Sequence, residues 1–370
     1  MAVNRPFQNL IVRAPNWLGD TVMATPVVRA LRRAFPDAQL TVLTRAPLQT
    51  IWSEIEGVDR VKLLDRKGTH RGVGGLMRLA GELRGEKYDA GLLLVESFSS
   101  AYLFRAAGIP NRLGYSAEGR FLFLKPSVKN PLPRNRHWVV EGLDLLRRGW
   151  GLDPFREPTR LEFPRTPQAE KEVDRLLKQA GSPKGPWVAF APGATYGPTK
   201  RWPIANWIAL ADTMLRYSKV HLALVGTREE AESSEAILRG LAPGLKGWAK
   251  SFVGKTSLLG LGALLGRCRA LVTNDTGPMH VSAGVGTPVV AVFGSTSPPW
   301  TRPLGTGHRV IYNRVPCSPC YLKQCPIDLR CLTGIRPEDA WRELQPLLKG
   351  KPVRVGPETL SPGQTPLGAP

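Results

Sequence analysis

Short apolar runs alternate along this chain with amphipathic stretches of helical spacing. Gln8-Asn9-Leu10-Ile11-Val12-Arg13 reads as a strand, and a polar loop follows over residues 14–20. Across 21–35, Val22, Met23, Val27, Ala30, Leu31 and Phe35 recur with a helical period. Gln39-Leu40-Thr41-Val42-Leu43-Thr44 is the next strand, which completes a βαβ unit of the length a parallel sheet requires. Strands at 61–64 and 88–95 continue the alternation, with a helix over 73–85 between them and another over 137–148. A proline-rich stretch, 151–167, reads as a linker. A second series begins at Trp187-Val188-Ala189-Phe190 and continues with helix 206–217, strand 220–225, helix 229–239 closed by Gly240, helix 257–265, a strand at 270–273 and a last helix over 337–348. The pattern predicts two α/β domains, 1–160 and 161–349. The tail, 350–370, is rich in proline and glycine and is expected to be disordered. No tandem repeat is visible.

In parallel sheets, ligands sit beyond the carboxyl ends of the strands. The loops to inspect are therefore 14–20, 192–200, 226–230, 274–280 and 294–299, and a cleft between two such domains suits two substrates. Residues 270–296 are the most informative. Asn274-Asp275-Thr276-Gly277 reads as a turn after a buried strand, and Pro278 suits the first turn of a helix. Val289 to Phe293 is a second apolar run, closed by Gly294-Ser295-Thr296. A helix N-terminus there offers unpaired N–H groups and a positive dipole end, which suits a diphosphate. Thr276, Ser295, Thr296 and His280 add side-chain donors. The alternative is an ordinary Asp/Thr cap with no ligand.

At 370 residues and 42% hydrophobic content, the chain can bury full cores. Its longest apolar runs are strand-sized, well short of the ~20 residues of a membrane span. Leu10-Ile11-Val12 is too short for a signal-peptide core, so a soluble cytoplasmic protein is expected. The formal charge of +21, from 51 Lys+Arg against 30 Asp+Glu, favours polyanions: nucleic acid, an acidic membrane or phosphorylated substrates. The basic residues are spread along the chain, with no zinc-finger histidine pair and no aromatic RNA-binding signature. An arginine-rich composition also fits a GC-rich coding sequence.

Four of the five cysteines, Cys317, Cys320, Cys325 and Cys331, follow a C-x2-C-x4-C-x5-C pattern, and the fifth is Cys268. Four thiolates can hold a structural zinc, although the spacing after the first pair is tighter than in common zinc ribbons. The other reading is a set of reduced thiols in an ordered loop. Gly254-Lys255-Thr256-Ser257 lacks the first glycine of a P-loop, since Ala249 stands five residues earlier. His137 and Glu141 are spaced i, i+4, but no second histidine completes a zinc-protease motif.

Pro15-Asn16-Trp17-Leu18-Gly19-Asp20, together with the flanking Ala14 and Thr21-Val22-Met23-Ala24-Thr25-Pro26, resembles the N-terminal signature of the ADP-heptose:lipopolysaccharide heptosyltransferases of glycosyltransferase family 9. Its Pro-Asn-Trp-x-Gly-Asp form is that of the heptosyltransferase II branch. Pro192-Gly193-Ala194 with Lys200-Arg201-Trp202-Pro203, then 274–280, then Phe293-Gly294-Ser295-Thr296-Ser297-Pro298, follow in the family's order. The resemblance covers about residues 9–345. It implies a GT-B fold, two Rossmann-like parallel-sheet domains facing a cleft, and inverting, metal-independent transfer. The implied donor is ADP-L-glycero-D-manno-heptose and the implied acceptor the lipopolysaccharide inner core. No cofactor and no nucleic acid are implied, and the protein would work in the cytoplasm against the anionic inner face of the inner membrane.

Inverting transfer needs one base within hydrogen-bond reach of the acceptor hydroxyl. Asp20 matches the family's base, and the competing reading is an N-cap for a helix starting at Thr21. Lys200 fits as a point charge on the leaving diphosphate, against the ordinary fate of a solvated lysine. Thr195 is a further hydroxyl donor. Asp275, an anion beside phosphate, orients the loop or caps the helix; with Thr276, Gly277, His280, Ser295 and Thr296 it completes the expected donor site. Glu230, over Glu229, is expected on the ribose hydroxyls. Asn16, Arg66, Arg112, Arg120, Arg134 and Arg136 are assigned to the acceptor, whose core and lipid A carry phosphates and acidic sugars. Two competing functions remain: a same-family transferase with another donor or acceptor, and a non-enzymatic nucleic-acid binder whose affinity falls steeply with salt.

Overall fold

A computed structural model describes residues 7–117, 119–130, 135–181 and 185–362. The chain divides into two units. The first runs to Thr159 and takes up the chain again from Thr359, and the second is Arg160–Glu358. The domain boundary thus falls inside the proline-rich linker.

In the first unit the strands are β1 (Asn9–Arg13), β2 (Gln39–Thr44), β3 (Arg60–Leu63), β4 (Ala90–Leu93), β5 (Asn111–Ser116) and β6 (Ser127–Lys129). They form one sheet of order β3-β2-β1-β4-β5-β6. In the second unit they are β7 (Trp187–Ala191), β8 (His221–Leu224), β9 (Ala249–Ser251), β10 (Cys268–Asn274), β11 (Val289–Phe293) and β12 (Arg309–Tyr312), in the order β12-β11-β10-β7-β8-β9. All neighbouring strands run parallel, with Val12 beside both Val42 and Leu92 in one sheet and Val272 beside both Phe190 and Val290 in the other. Each sheet winds outward from its first strand, then returns and winds the other way. The reversal lies between β1 and β4, and between β7 and β10, which is where open parallel sheets place their ligands.

The central strands β4, β7 and β11 are buried along their whole length, as a sheet covered on both faces requires. In the second unit, Phe190, Trp202 and Trp207 are buried together, with Trp207 5.3 Å from Phe190 and 5.2 Å from Trp202 between ring centroids. Trp202 is buried without an orphaned donor, because its indole N–H donates to Ile335 O at 2.9 Å.

Most elements fall where the periodicity puts them, including the last helix at Pro337–Leu348. The helix Phe98–Ala106, strand β5 and the edge strands β6, β9 and β12 were not anticipated. Those strands are short and carry Arg, Lys, Ser and Gly, so neither alternation nor a continuous apolar run marks them.

The disordered tail needs correction where the structure describes it. Thr306 and Gly356 form an antiparallel bridge, and Val355 N–H donates to Gly286 O at 3.3 Å. Glu358 accepts from Arg302 and from Gly305 N–H at 3.1 Å, and Leu360 is buried. Composition registers a scarcity of apolar residues but not a few specific anchors. Residues 363–370 lie outside the described residues.

Candidate functional site

The second unit gathers the expected donor residues. Since β7 pairs with β10 through Ala191 and Thr273, the loops that follow these strands emerge side by side. Asn274 ties them together. Its Nδ2 donates to Pro192 O at 2.7 Å and Gly193 O at 3.2 Å, and its Oδ1 accepts from Trp202 N–H at 3.1 Å. Sequence reasoning had given Asn274 no such role, although an asparagine at the end of a buried strand is a visible signal.

Asp275 comes next and is buried. Its Oδ2 accepts from Lys200 Nζ at 2.6 Å and from Thr296 Oγ1 at 2.7 Å. Asp275 therefore orients a lysine and a threonine from two other loops, and it does not cap the helix. The helix Gly277–Gly284 follows, with Thr276 as its N-cap residue, no side-chain cap bond, and a proline in its first turn. The Ser295 hydroxyl and the His280 Nδ1 are buried there without a partner among the described residues. Burial pushes the His280 imidazole down to about 4, with Asp275 pulling it up and Lys200 pushing it down, so it is neutral near pH 7. Buried polar atoms are almost always satisfied, so an unpaired hydroxyl and an unpaired ring nitrogen beside a helix N-terminus suit a polar ligand.

Glu230 and Glu229 separate clearly. The Glu230 carboxylate accepts from Thr227 N–H at 2.8 Å and lies against Gly193, where an added Cβ would stand 1.9 Å from Oε1. Glu230 thus turns toward the loop after β7, and a side chain at 193 would displace its carboxylate. Glu229 is exposed, its carboxyl held low by a backbone N–H and by Thr227. Thr195 is exposed on the same loop.

In the first unit the helix Leu18–Ala34 starts three residues before Thr21, with Trp17 at its N-cap position. Asp20 is therefore in the first turn and is not the N-cap; the helix dipole favours its anion there. It is half-buried. The loop before it is fixed by Arg13, a fully buried side chain that donates to Asn16 Oδ1 at 2.6 Å, to Leu43 O at 3.4 Å and to Ala14 O. Burial, then Arg45, then Arg66, push the Arg13 guanidinium down to about 9. Arg66 itself is exposed.

Three of the arginines assigned to the acceptor have other work. Arg120 is fully buried and donates to Tyr115 O at 2.5 Å and to Val95 O. Arg112 donates to Phe123 O at 2.6 Å, to Pro110 O at 2.9 Å and to Ile109 O. Arg136 pairs with buried Glu141 at 2.7 Å and Asp144 at 3.3 Å and donates to Pro362 O at 2.5 Å. All three guanidiniums hold the first unit together; full burial takes Arg120 out of reach of an acceptor, whereas Arg112 and Arg136 stay partly exposed. Arg134 lies outside the described residues. His137 caps the helix Trp138–Trp150 through Nδ1, which accepts from Val139 N–H at 3.2 Å.

Cys317, Cys320, Cys325 and Cys331 line one small cavity with Thr199 and Ser295, and none forms a disulfide. Burial, then the neighbouring cysteines, push the Cys331 thiol up. Among the described residues, no group of three or more His, Cys, Asp or Glu is placed to hold a metal ion. Nor is any helix among them long and apolar enough to cross a membrane.

Residues 76–330 match the model of glycosyltransferase family 9 (heptosyltransferase). The lipopolysaccharide heptosyltransferase 2 of Escherichia coli K12 is 30% identical over 82% of this chain and 87% of its own. The structure of E. coli ADP-heptose LPS heptosyltransferase II superposes with a TM-score of 0.76 at 28% identity, covering 92% of this chain and 98% of that one. A family 9 glycosyltransferase from Veillonella parvula DSM 2008 shares the fold, with a TM-score of 0.83 at 23% identity over 94% of this chain and 99% of its own. The two doubly wound sheets are those of a GT-B fold, and the chain belongs to glycosyltransferase family 9, the heptosyltransferases.

Proposed function

We propose that the protein transfers L-glycero-D-manno-heptose from ADP-heptose to the lipopolysaccharide inner core, inverting the anomeric centre without a metal. The observation that carries this reading is the donor-side arrangement. A buried Asp275 holds Lys200 and Thr296 in place beside a helix N-terminus, where the Ser295 hydroxyl and the Nδ1 of neutral His280 are left unpaired among the described residues. These groups, with Thr276, Gly277 and Thr195, bind the diphosphate, and Glu230 accepts from the ribose hydroxyls.

The acceptor hydroxyl attacks the anomeric carbon in line while Asp20 takes its proton. The bond from that carbon to the diphosphate oxygen breaks, and ADP leaves with the electron pair. ADP is a stable anion, so no acid is needed; the donors aimed at the developing charge lower the barrier. The Asp275 carboxylate, already compensated by Lys200 and Thr296, is not offered to a cation. Asn16 and Arg66 belong to the acceptor side, and the net charge of +21 draws the enzyme from the cytoplasm to an anionic membrane face.

The test uses purified protein, ADP-heptose and core lipopolysaccharide lacking its outer heptose. Release of ADP and the gain of one heptosyl residue in the mass spectrum are expected. Core lipopolysaccharide from a strain lacking the protein is expected to be truncated at that residue. An intact core, or salt-sensitive duplex binding without sugar-nucleotide binding, refutes the reading.

A further inference from the structure

Donor binding as proposed above leaves an electrostatic gap. Lys200 is neutralised by Asp275 at 2.6 Å, and a helix N-terminus contributes only about half a charge. A nucleoside diphosphate carries more negative charge than this, and gains more as it leaves. Another cation is needed within reach of the same loop.

Tyr196 marks where it stands. Lys200 Nζ lies 5.0 Å from the centroid of its ring and Lys323 Nζ lies 6.0 Å from it. Lys323 is exposed and has no carboxylate partner among the described residues, in contrast to Lys200.

Its backbone is no free surface loop. Thr199 Oγ1 donates to Leu322 O at 2.5 Å, and the Tyr196 hydroxyl donates to Tyr321 O at 2.5 Å. Tyr321 N–H donates to Ser295 O at 2.8 Å, and Ser318 Oγ donates to Gly294 O at 2.6 Å. The segment also passes directly over Gly197, where φ is +156° and an added Cβ would stand 2.8 Å from Lys323 O. The cysteine-bearing segment is thus fastened to both the loop that carries Lys200 and the loop that carries Ser295.

We infer that Lys323 is a second cation of the diphosphate subsite, kept near the loop of Lys200 by the shared Tyr196 ring and by the hydrogen bonds of the cysteine-bearing segment. It binds the diphosphate oxygens as an uncompensated point charge, while Lys200 is fixed in orientation by Asp275. This inference rests on the ADP-sugar reading of the site.

Lys323→Met and Lys323→Arg test it by calorimetric titration with ADP and with adenosine. In Lys323→Met, ADP affinity is expected to fall about tenfold, as for loss of a charge-assisted contact, with a shallower salt dependence. Adenosine affinity is expected to be unchanged, and Lys323→Arg is expected to retain most of the ADP affinity. Unchanged ADP affinity in Lys323→Met, or an equal loss for adenosine, overturns the inference. Failure of the wild-type protein to bind ADP would instead refute the donor reading itself.

Discussion

Two aspartates follow the central strands of the two units and stand in different surroundings. Asp20 follows β1 in the first turn of a long helix, half-buried, beyond a loop held by the buried Arg13 guanidinium. Asp275 follows β10 and is buried, its Oδ2 already accepting from Lys200 and Thr296. A base must offer a lone pair to a proton that arrives with substrate. Asp275 has its carboxylate committed to positioning a cation and a hydroxyl. On the reading proposed above, Asp20 serves the acceptor, whereas Asp275 positions a cation and a hydroxyl of the donor side through Lys200 and Thr296.

The largest expected effect is at Asp20. Asp20→Asn should lower kcat by about 10²–10⁴-fold with ADP affinity unchanged by calorimetry. Near-normal turnover would end the comparison. Asp275→Ala should act differently. It leaves half-buried Lys200 without its partner, so denaturant unfolding should reveal a destabilised protein and ADP binding should weaken. An Asp275 variant that lost turnover while keeping stability and ADP affinity would transfer the base role to Asp275.

The arginines of the first unit sharpen the contrast. Arg120→Met orphans the carbonyls of Tyr115 and Val95, at roughly 1–3 kcal/mol of stability, whereas Arg66→Gln should leave stability alone and raise the acceptor KM, most visibly at low salt. Equal stability loss in both variants would make Arg66 structural as well.

A smaller effect concerns pH. Burial pushes His280 and His308 of the second unit down to about 4. The unfolded chain therefore binds more protons than the folded one between about pH 6.5 and 4, and stability falls as the pH is lowered through that window. By pH 5 each histidine should cost roughly 1–2 kcal/mol. Glu141 of the first unit has the opposite sign, because burial raises its carboxyl and its protonation favours the folded form as pH falls. Tm measured from pH 7 to 4.5 should decline less in a His280→Gln, His308→Gln double variant. The smallest expected effect is that of chelation. Excess EDTA should leave turnover unchanged, and loss restored by magnesium would show a cation at the diphosphate.

Much of the candidate site was legible in the sequence. An apolar run that ends in Asn274-Asp275-Thr276-Gly277-Pro278 states a buried strand, a turn and a helix start, because each of those residues has a local conformational preference. The loop containing Asp20 was legible for the same reason. Arg112, Arg120 and Arg136 were not, since net charge counts guanidiniums without knowing which carbonyls and carboxylates they meet. Nor was the pairing of Lys200 with Asp275, which stand 75 residues apart in the chain. The tail over 350–362 was misread because one ion pair, one bridge and one buried leucine are invisible in a composition average.

The sequence by itself determined the alternation of strands and helices, the parallel class of both sheets, the linker and the glycine-bearing loops that close the strands. These follow from periodicity and local backbone preference, which act over a few residues. Only the tertiary structure decided that Asp275 holds Lys200 and Thr296, that Glu230 rather than Glu229 turns toward Gly193, that Arg120 is a core residue and that the cysteine-bearing segment is fastened to the loops of Lys200 and Ser295. Those outcomes depend on burial and on hydrogen-bond partners brought together by strand order, and the chain cannot express them until each sheet is assembled.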